Sequence, residues 1–460
     1  MTKQFILLTF GSALGLAALV FVSPSISTAG PLEDLKPGQW VQLPCKNTIR
    51  SVLPTPIPDG NGPEKIIDAW NSGAYDTKRD RLLVWGGGHH DYQGNEIYAF
   101  DIATFTWARI TDPSDAPIAR HTYDGVEYLP RYDRLFSQGG SVWPTGYATT
   151  TTNTFNMASM AWENRASTSL GGMLGVVTAY NPTDGTVIWD GSGDSFGRLS
   201  IYDPAKDTWT IRGSDAFGNY HQTGTFDPKR NIFLRLGGGL SLYYDLSQTG
   251  KVAAKPVNAS GPADLVSVNY PGVDYDPVAE EFVAWNGGSN VYSLNMDTKT
   301  WSSVTGTGAT PGAADDNGTF NRWRYVPSRN VFLVVNSIDG NVFAYRNKAG
   351  TSAPKTYMDM LTSQAVGLLD RAPGVMPGLS ALPGARGLAR FRLVGATGPE
   401  CPTLNIVDGR GRTEMVLAGV SLGSGLVEYT WRNSGLNAGV LFAETRVGGK
   451  KVQARLPAQP

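Results

Sequence analysis

One unit recurs along this chain, and its first copy runs from Asp80 to Trp107 with the sequence DRLLVWGGGHHDYQGNEIYAFDIATFTW. The unit holds an apolar strand ending in glycines, a variable insert, a second strand, and a Trp that follows an acid or Asn at constant spacing. Four copies keep that spacing: Asp101 to Trp107, Asn156 to Trp162, Asp203 to Trp209, and Asn295 to Trp301. Repeats of about 50 residues built from short strands and Gly turns bury their apolar faces by stacking on one another. The sequence therefore predicts an all-β repeat protein.

Each unit opens with an aromatic residue that leads into a turn. Six openings are readable: Tyr75-Asp76, Tyr128-Leu129-Pro130, Tyr180-Asn181-Pro182, Phe226-Asp227-Pro228, Tyr275-Asp276-Pro277, and Tyr325-Val326-Pro327. The sixth copy ends at Tyr345 without a Trp strand, whereas a lone strand of that kind surrounds Trp40. Pairing the two would close a ring and remove exposed sheet edges. We therefore predict a β-propeller over residues 30–350, with six to seven four-stranded blades and the N-terminal strand closing the ring.

The first 29 residues have the pattern of an export signal. Lys3 precedes the apolar run Phe5–Val22, and Ser27-Thr28-Ala29 offers small residues for cleavage before Gly30. This pattern predicts a signal peptide over residues 1–29 and a secreted or periplasmic mature protein, with an uncleaved membrane anchor as the competing interpretation. The formal net charge is −1, which gives no reason to expect nucleic acid as a partner, or a membrane after removal of the signal.

The C-terminal part differs in composition from the repeats. Residues 351–389 are rich in Pro, Gly, Ala and Leu and predict a linker, and residues 390–460 predict a small β-rich region. The two cysteines are Cys45 and Cys401. In an exported protein they predict one disulfide between the N-terminal segment and this region, with two separate buried thiols as the alternative.

The chain has four histidines, at positions 89, 90, 121 and 221. In a four-stranded blade, the loop between strands two and three opens on the same face as the connection to the next blade. His89 and His90 fall in such a loop, and His121 and His221 fall in two such connections. All four are therefore predicted to meet on one face, where converging loops form ligand sites.

Other side chains in these segments indicate what this face binds. Arginines suit carboxylate or sulfate groups, aromatic rings stack on sugars, and His and Tyr transfer protons near neutral pH. The predicted substrate-binding residues are Arg120, Arg198, His221, Tyr220, Trp143, Tyr147, Arg322 and Trp323. In an exported protein this set predicts an acidic polysaccharide as the partner. It also suits β-elimination, in which a base removes the C5 proton of a uronate and an acid protonates the leaving oxygen.

The repeats, the GGGHHDYQGN insert at 86–95 and the connection Arg120-His121-Thr122-Tyr123 resemble exported bacterial kelch-type proteins, over Trp40 to Tyr345. Among these, the chain looks like the propeller-fold polysaccharide lyases, ulvan lyases in particular. The resemblance implies proton transfer by His and Tyr with a cation near the uronate. The catalytic candidates on that basis are His90, His121, Tyr180 and Tyr123, with Arg198 beside the uronate. Those lyases typically have seven blades, and the chemistry requires no cofactor.

Three other functions fit parts of the sequence. A noncatalytic glycan-binding propeller would need the aromatic and arginine side chains but not the histidines. A kelch-type copper-radical oxidase needs a Cys within the repeats, which this chain lacks. A bound metal, zinc or calcium, would draw its ligands from His89, His90, Asp91, His121 or His221. A structural role also competes for Tyr180, which occupies the repeat position of Tyr75 and Tyr275.

Overall fold

A computed structural model describes residues 30–192, 198–214 and 221–362. Farther along it describes the stretches 378–382, 388–394, 403–408, 413–417, 420–423, 426–432, 441–447 and 450–455. Six antiparallel sheets, each with four main strands, form blades around an axis. The innermost strand of each blade contacts those of both neighbouring blades, and the sixth contacts the first. The protein is therefore a six-bladed β-propeller, at the lower end of the predicted six to seven blades.

The strands of each blade follow one another from the axis outwards. Blade 1 consists of Ser72–Asp76, Arg81–Trp85, Tyr98–Asp101 and Thr106–Arg109. Blade 2 consists of Val126–Leu129, Arg134–Gln138, Thr152–Asn156 and Ala161–Arg165. Blade 3 consists of Gly175–Tyr180, Val187–Ser192, Ser200–Asp203 and Thr208–Ile211. Blade 4 consists of Thr223–Asp227, Ile232–Gly237, Leu240–Asp245 and Lys255–Pro256.

The last two blades and the short elements complete the ring. Blade 5 consists of Gly272–Asp276, Glu281–Trp285, Asn290–Asn295 and Thr300–Thr305. Blade 6 consists of Trp323–Val326, Val331–Val334, Phe343–Arg346 and the N-terminal strand Gln39–Gln42. Two helices are Lys65–Asp68 and Lys355–Thr362. Single 3-10 turns are Arg50–Val52, Asp264–Ser267 and Phe320–Arg322.

The N-terminal strand closes the ring, as the orphan Trp strand predicted. It pairs antiparallel with Phe343–Arg346, so that Trp40 lies opposite Tyr345. Its first residues also pair in parallel with Thr307–Gly308, which follows blade 5. The Trp40 side chain is 2% exposed, and its Nε1 donates to the Ser289 carbonyl at 3.0 Å. The N-terminal strand is thus hydrogen-bonded to blade 6 and to the segment that follows blade 5, where the ring closes.

The repeated aromatic openings have a structural explanation. The Tyr128 hydroxyl donates to Asp133 Oδ1 at 2.8 Å, and the Tyr325 hydroxyl donates to Asn330 Oδ1 at 2.9 Å. Asp133 and Asn330 have positive φ values of 52° and 49°, a conformation that Asp and Asn tolerate better than most residues. The aromatic residue and the turn residue five positions later therefore fix the reversal between the first and second strands.

Buried charges fill the axis between the two faces. Arg324 Nη2 donates to Glu127 Oε2 at 2.8 Å, and its Nη1 lies 3.8 Å from Asp274 Oδ2. Burial raises the pKa of Glu127 to about 7 even though Arg324 acts in the opposite direction. Helix Lys355–Thr362 covers this end of the axis, because Tyr357 and Leu361 line the same cavity as Glu127 and Arg324. The face that carries the turns between first and second strands, here called the opposite face, therefore has a cavity at the axis that the helix lines on one side.

The described stretches after residue 377 are strands that form two sheets. One sheet contains Gly378–Leu382, Leu388–Val394, Leu426–Arg432 and Val420–Gly423. The other contains Thr413–Leu417, Leu404–Asp408, Leu441–Val447 and Lys450–Arg455. The strand Gly378–Leu382 and helix Lys355–Thr362 both lie inside the segment predicted as a linker, 351–389.

Two predictions about the termini concern residues that the structure does not describe. The predicted signal peptide, 1–29, lies there, and so does Cys401. Cys45 Sγ accepts a hydrogen bond from the Val342 amide at 3.4 Å, and the pairing of Cys45 with Cys401 stays a prediction. None of the helices that the structure describes is long and apolar enough to cross a membrane.

Candidate functional site

A tight turn between the second and third strands of blade 1 presents His89, His90 and Asp91. The Asp91 amide donates to the Gly88 carbonyl at 2.9 Å, and the Gly88 amide donates to the Tyr92 carbonyl at 2.7 Å. Tyr92 is fully buried and anchors the turn. His89 has a positive φ of 47°, which costs of order 1 kcal/mol for a residue other than Gly and persists only where the surroundings impose it. Both histidines of the turn reach solvent.

The connection from blade 1 to blade 2 carries His121 to this turn. Arg120–His121 forms a short strand antiparallel to Ser141–Val142, which lies in the loop of blade 2. Gly88 permits the approach, because a Cβ there would lie 2.2 Å from the His121 amide nitrogen. His121 Nε2 lies 2.7 Å from Asp91 Oδ2. Asn61 Nδ2 donates to the other oxygen of Asp91 at 3.3 Å, so the carboxylate is held on both sides.

His89, Asp91 and His121 form one cluster of metal-ligating groups. One ligand atom from each lies within 4.8 Å of the other two, and among the described residues this is the one group of three or more with that property. Burial lowers the pKa of His121 to about 4, against the opposing effect of the Asp91 carboxylate. Its imidazole is therefore neutral near pH 7, and neutral imidazole is the form that binds metals.

The residue leading into each innermost strand lies around the axis on the face that carries the four histidines, here called the histidine face. In chain order these residues are Trp70, Tyr123, Leu174, His221, Tyr270 and Phe320. Tyr123 of blade 2 and Phe320 of blade 6 have ring centroids 6.3 Å apart although their blades are not adjacent. Their side chains therefore meet near the axis and form, with the others, a collar.

The collar and the cluster are in contact. The His121 ring lies 5.2 Å from the ring of Trp70 and 6.2 Å from that of Tyr123. Tyr123 has a positive φ of 47° and is 7% exposed. The predicted catalytic residues His90, His121 and Tyr123 thus lie in one neighbourhood of the histidine face. His221 belongs to the same collar, with its ring 5.1 Å from that of Tyr270, and burial lowers its pKa.

The loop of blade 2 forms a wall beside His89. A Cβ at Gly146 would lie 2.3 Å from His89 Cδ2, so the imidazole packs directly against this glycine. The next residue, Tyr147, is 75% exposed. Trp143 is half-buried, and its amide donates to the Ala119 carbonyl at 2.9 Å. Tyr147 and Trp143, two of the four aromatic residues predicted to bind substrate, therefore lie on the rim next to the cluster.

Two of the predicted arginines lie in the interior. Arg120 is 2% exposed, donates to Asn153 Oδ1 at 2.7 Å, and lies over the Trp85 ring. Burial lowers its pKa to about 10. Arg322 is fully buried and donates to the carbonyls of Asn71 and Val335. Connections between blades run beside the axis, and these long side chains extend inwards beneath neighbouring strands. Neither arginine reaches the surface where a polysaccharide would bind.

The remaining predicted residues occupy separate places. Trp323 is fully buried, stacks on Phe332 at 4.8 Å, and donates to the Val283 carbonyl, so it belongs to the core. Tyr180 ends the innermost strand of blade 3 and lines the cavity of the opposite face. A strand of that length separates it from the histidine face by about 17 Å. Arg198 is exposed at the end of the blade 3 loop, and Tyr220 lies outside the described residues.

Sequence reasoning understated two features of the site. The sequence offers Asp91 as one of five possible metal ligands without linking it to one histidine, and the structure shows that it is the partner of His121. The collar was missed, because its members differ in type and only their position, one to three residues before each innermost strand, is shared. That position is readable once the six strand openings have been aligned.

Comparison with known proteins gives distant similarities. No family model matches the chain. Acyl-CoA-binding domain-containing proteins 5 and 4 of Arabidopsis thaliana are each 28% identical over 116 residues, which is 24% of this chain and 17% of those proteins. The chain therefore matches less than a fifth of the length of these curated relatives, and the similarity does not establish a family.

The similarity of this chain to solved structures is also low. The structure of YjhT is 12% identical, covers 63% of this chain and 95% of its own, and has a TM-score of 0.43. A protein of unknown function from Bacteroides thetaiotaomicron is 12% identical, covers 67% and 75%, and has a TM-score of 0.43. An auxiliary nutrient binding protein from the same organism is 9% identical, covers 59% and 68%, and has a TM-score of 0.39. The propeller assignment rests on strand pairing, and the kelch and ulvan lyase resemblances stay predictions.

Proposed function

We propose that this protein is an exported lyase that cleaves a uronate-containing polysaccharide by β-elimination on the histidine face. The observation that supports it is the convergence of two distant segments, the His89–Asp91 turn and the Arg120–His121 strand, beside an exposed aromatic rim. Such a rim suits a sugar chain, since flat rings stack on pyranose faces while open loops leave room for a polymer.

His90 is the base in this proposal. It reaches solvent in the same turn as His89 and lies outside the hydrogen-bonded pair, with its ring 4.8 Å from that of His89. His121 is buried and its Nε2 faces Asp91, so it positions the turn instead of taking the proton. His90 removes the C5 proton, the electron pair forms the C4–C5 double bond, and the C4–O bond breaks.

Tyr123 supplies the proton to the leaving oxygen. It is the predicted catalytic tyrosine on the histidine face, next to His121, whereas Tyr180 lines the opposite face. Placing acid and base on one face satisfies the geometric requirement that both reach the same glycosidic unit. Tyr147 and Trp143 stack on neighbouring sugars, and the exposed Arg198 pairs with a further carboxylate along the chain.

The test is an assay on a panel of ulvan, alginate, pectin and glycosaminoglycans, following the ultraviolet absorbance of the unsaturated uronate product. We expect one substrate to give a rise, and His90→Ala to lower the rate by at least about 100-fold, as loss of a general base does. Tyr75→Phe is the matched control, because Tyr75 lies on the opposite face. No rise on any substrate would overturn the proposal.

A second candidate is a propeller that binds glycans without cleaving them. The 75% exposure of Tyr147 favours it, because an aromatic side chain held open to solvent suits sugar stacking with or without catalysis. Retention of wild-type protein on a polysaccharide affinity gel, lost in Tyr147→Ala and unaccompanied by any product, would select this function. The same gel result accompanied by product would select the lyase.

A further inference from the structure

We propose that His89, Asp91 and His121 bind one zinc-like divalent cation with an open coordination position toward solvent. The three ligand atoms come from two segments and lie within 4.8 Å of one another. Ligand atoms at about 2.1 Å from a tetrahedral zinc ion lie about 3.4 Å apart. The 2.7 Å between His121 Nε2 and Asp91 Oδ2 therefore widens by less than 1 Å when a cation enters.

The surroundings hold these ligands in the way that metal sites require. Asn61 donates to the second oxygen of Asp91, which fixes the carboxylate and leaves Oδ2 toward His121. Gly146 backs the His89 ring, and Trp70 packs beside His121. The positive φ of His89 turns this residue back toward Asp91 within one tight turn. The strained residue thus belongs to the cluster, where such strain has a use.

The ligand set selects the class of cation. Two imidazoles with one carboxylate suit zinc and its first-row neighbours, whereas calcium and magnesium prefer oxygen ligands throughout. Of the two metals that the sequence left open, the cluster therefore favours zinc over calcium. His90 and His221 lie outside the cluster. Three protein ligands with a solvent-accessible His89 leave a fourth position for water or substrate, the arrangement of a catalytic site and not of a closed structural one.

The cation would also neutralise the uronate carboxylate, and this step rests on the proposed function. β-Elimination requires the uronate carboxylate to be neutralised. Arg120 and Arg322 are both buried, and the exposed Arg198 pairs with a further carboxylate in the proposed function. A divalent cation beside His90 would bind the carboxylate as a Lewis acid and make the C5 proton more acidic. The metal would then perform the role that the resemblance assigns to an arginine.

The experiment is equilibrium dialysis of tag-free protein against zinc, with bound metal measured by mass spectrometry. We expect one zinc per wild-type chain, and at least about a 100-fold loss of affinity in His89→Ala and Asp91→Asn, since even outer-shell changes cost 10- to 100-fold. His90→Ala is the matched control, adjacent in sequence and outside the cluster, and should bind zinc like wild type. Millimolar calcium should not displace the zinc.

Two outcomes would overturn the metal proposal: no zinc bound by wild type, or equal binding by wild type, His89→Ala and Asp91→Asn. Both variants alter groups that are not fully buried, and thermal denaturation without zinc identifies any that fail to fold. Zinc should raise the Tm of wild type and of His90→Ala but not of the other two. Stoichiometric zinc without cleavage of any polysaccharide would support the site and overturn the lyase. Cleavage at an unchanged rate by zinc-free protein would support the lyase and overturn the Lewis-acid role of the cation.

Discussion

Replacing Trp40 by Ala tests whether the N-terminal strand holds the ring closed. The indole is 2% exposed and contacts the rings of Trp323 and Tyr345 at 5.7 and 5.0 Å. Truncation of such a side chain costs about 3–5 kcal/mol, and the Ser289 carbonyl also loses its donor. We therefore expect about 4 kcal/mol less unfolding free energy. For a propeller of about 320 residues this lowers Tm by about 6 °C.

Urea unfolding followed by near-ultraviolet circular dichroism measures this loss, with Trp301→Ala as the matched control. Trp301 holds the same repeat position in blade 5 and is equally buried at 2%, but its strand is continuous with the blade it completes. Both variants should lose similar stability. Only Trp40→Ala should let trypsin cut quickly after Lys46, which follows the closing strand. A loss below about 1 kcal/mol for Trp40→Ala would refute the role assigned to this strand.

Two further predictions concern the axis and the turn beneath the cluster. Replacing Arg324 by Met leaves Glu127 and Asp274 without their cation, and we expect a loss of about 3–5 kcal/mol. Burial raises the pKa of Glu127 to about 7 although Arg324 lowers it, so removing Arg324 raises this pKa further. The loss should therefore be larger at about pH 8, where Glu127 is ionised and paired in the wild type, than at about pH 5, where it is protonated in both proteins. Equal losses in urea unfolding at both pH values would contradict this. Gly88→Ala should cost at least about 2 kcal/mol more than Gly239→Ala, because their φ values are +84° and +83° but only the Cβ at position 88 would meet backbone. Equal Tm values for the two variants would show that the His121 strand does not approach this turn closely.

The fold could be predicted from the sequence because every blade forms the same kind of reversal between its first and second strands. An aromatic residue paired with a left-handed turn residue recurs at the strand reversals, as in Tyr128 with Asp133 and Tyr325 with Asn330. Closure of the ring could be predicted because an exposed sheet edge is unfavourable. The strand around Trp40 was the one Trp-containing strand that belonged to no blade in the sequence order. The number of blades then follows from counting openings.

The site was only partly readable. Strand order assigns loops to faces, so the meeting of the His89 turn with His121 follows from topology. Burial does not follow from it. Arg120 and Arg322 lie in connections that also border the axis, and their long side chains reach backbone carbonyls and Asn153 in the interior. Likewise, Tyr180 is a tyrosine, the residue type that the lyase resemblance implies, but it ends a strand that runs away from the histidines.

The most direct test of the account is a crystal structure of His90→Ala with an oligosaccharide from the polysaccharide that wild type binds or cleaves. We predict sugar density on the collar of the histidine face, with a ring stacked on Tyr147 and a uronate carboxylate next to the cluster of His89, Asp91 and His121. Density on the opposite face around Tyr180, or on the C-terminal strands with the histidine face empty, would contradict the assignment of function to this face.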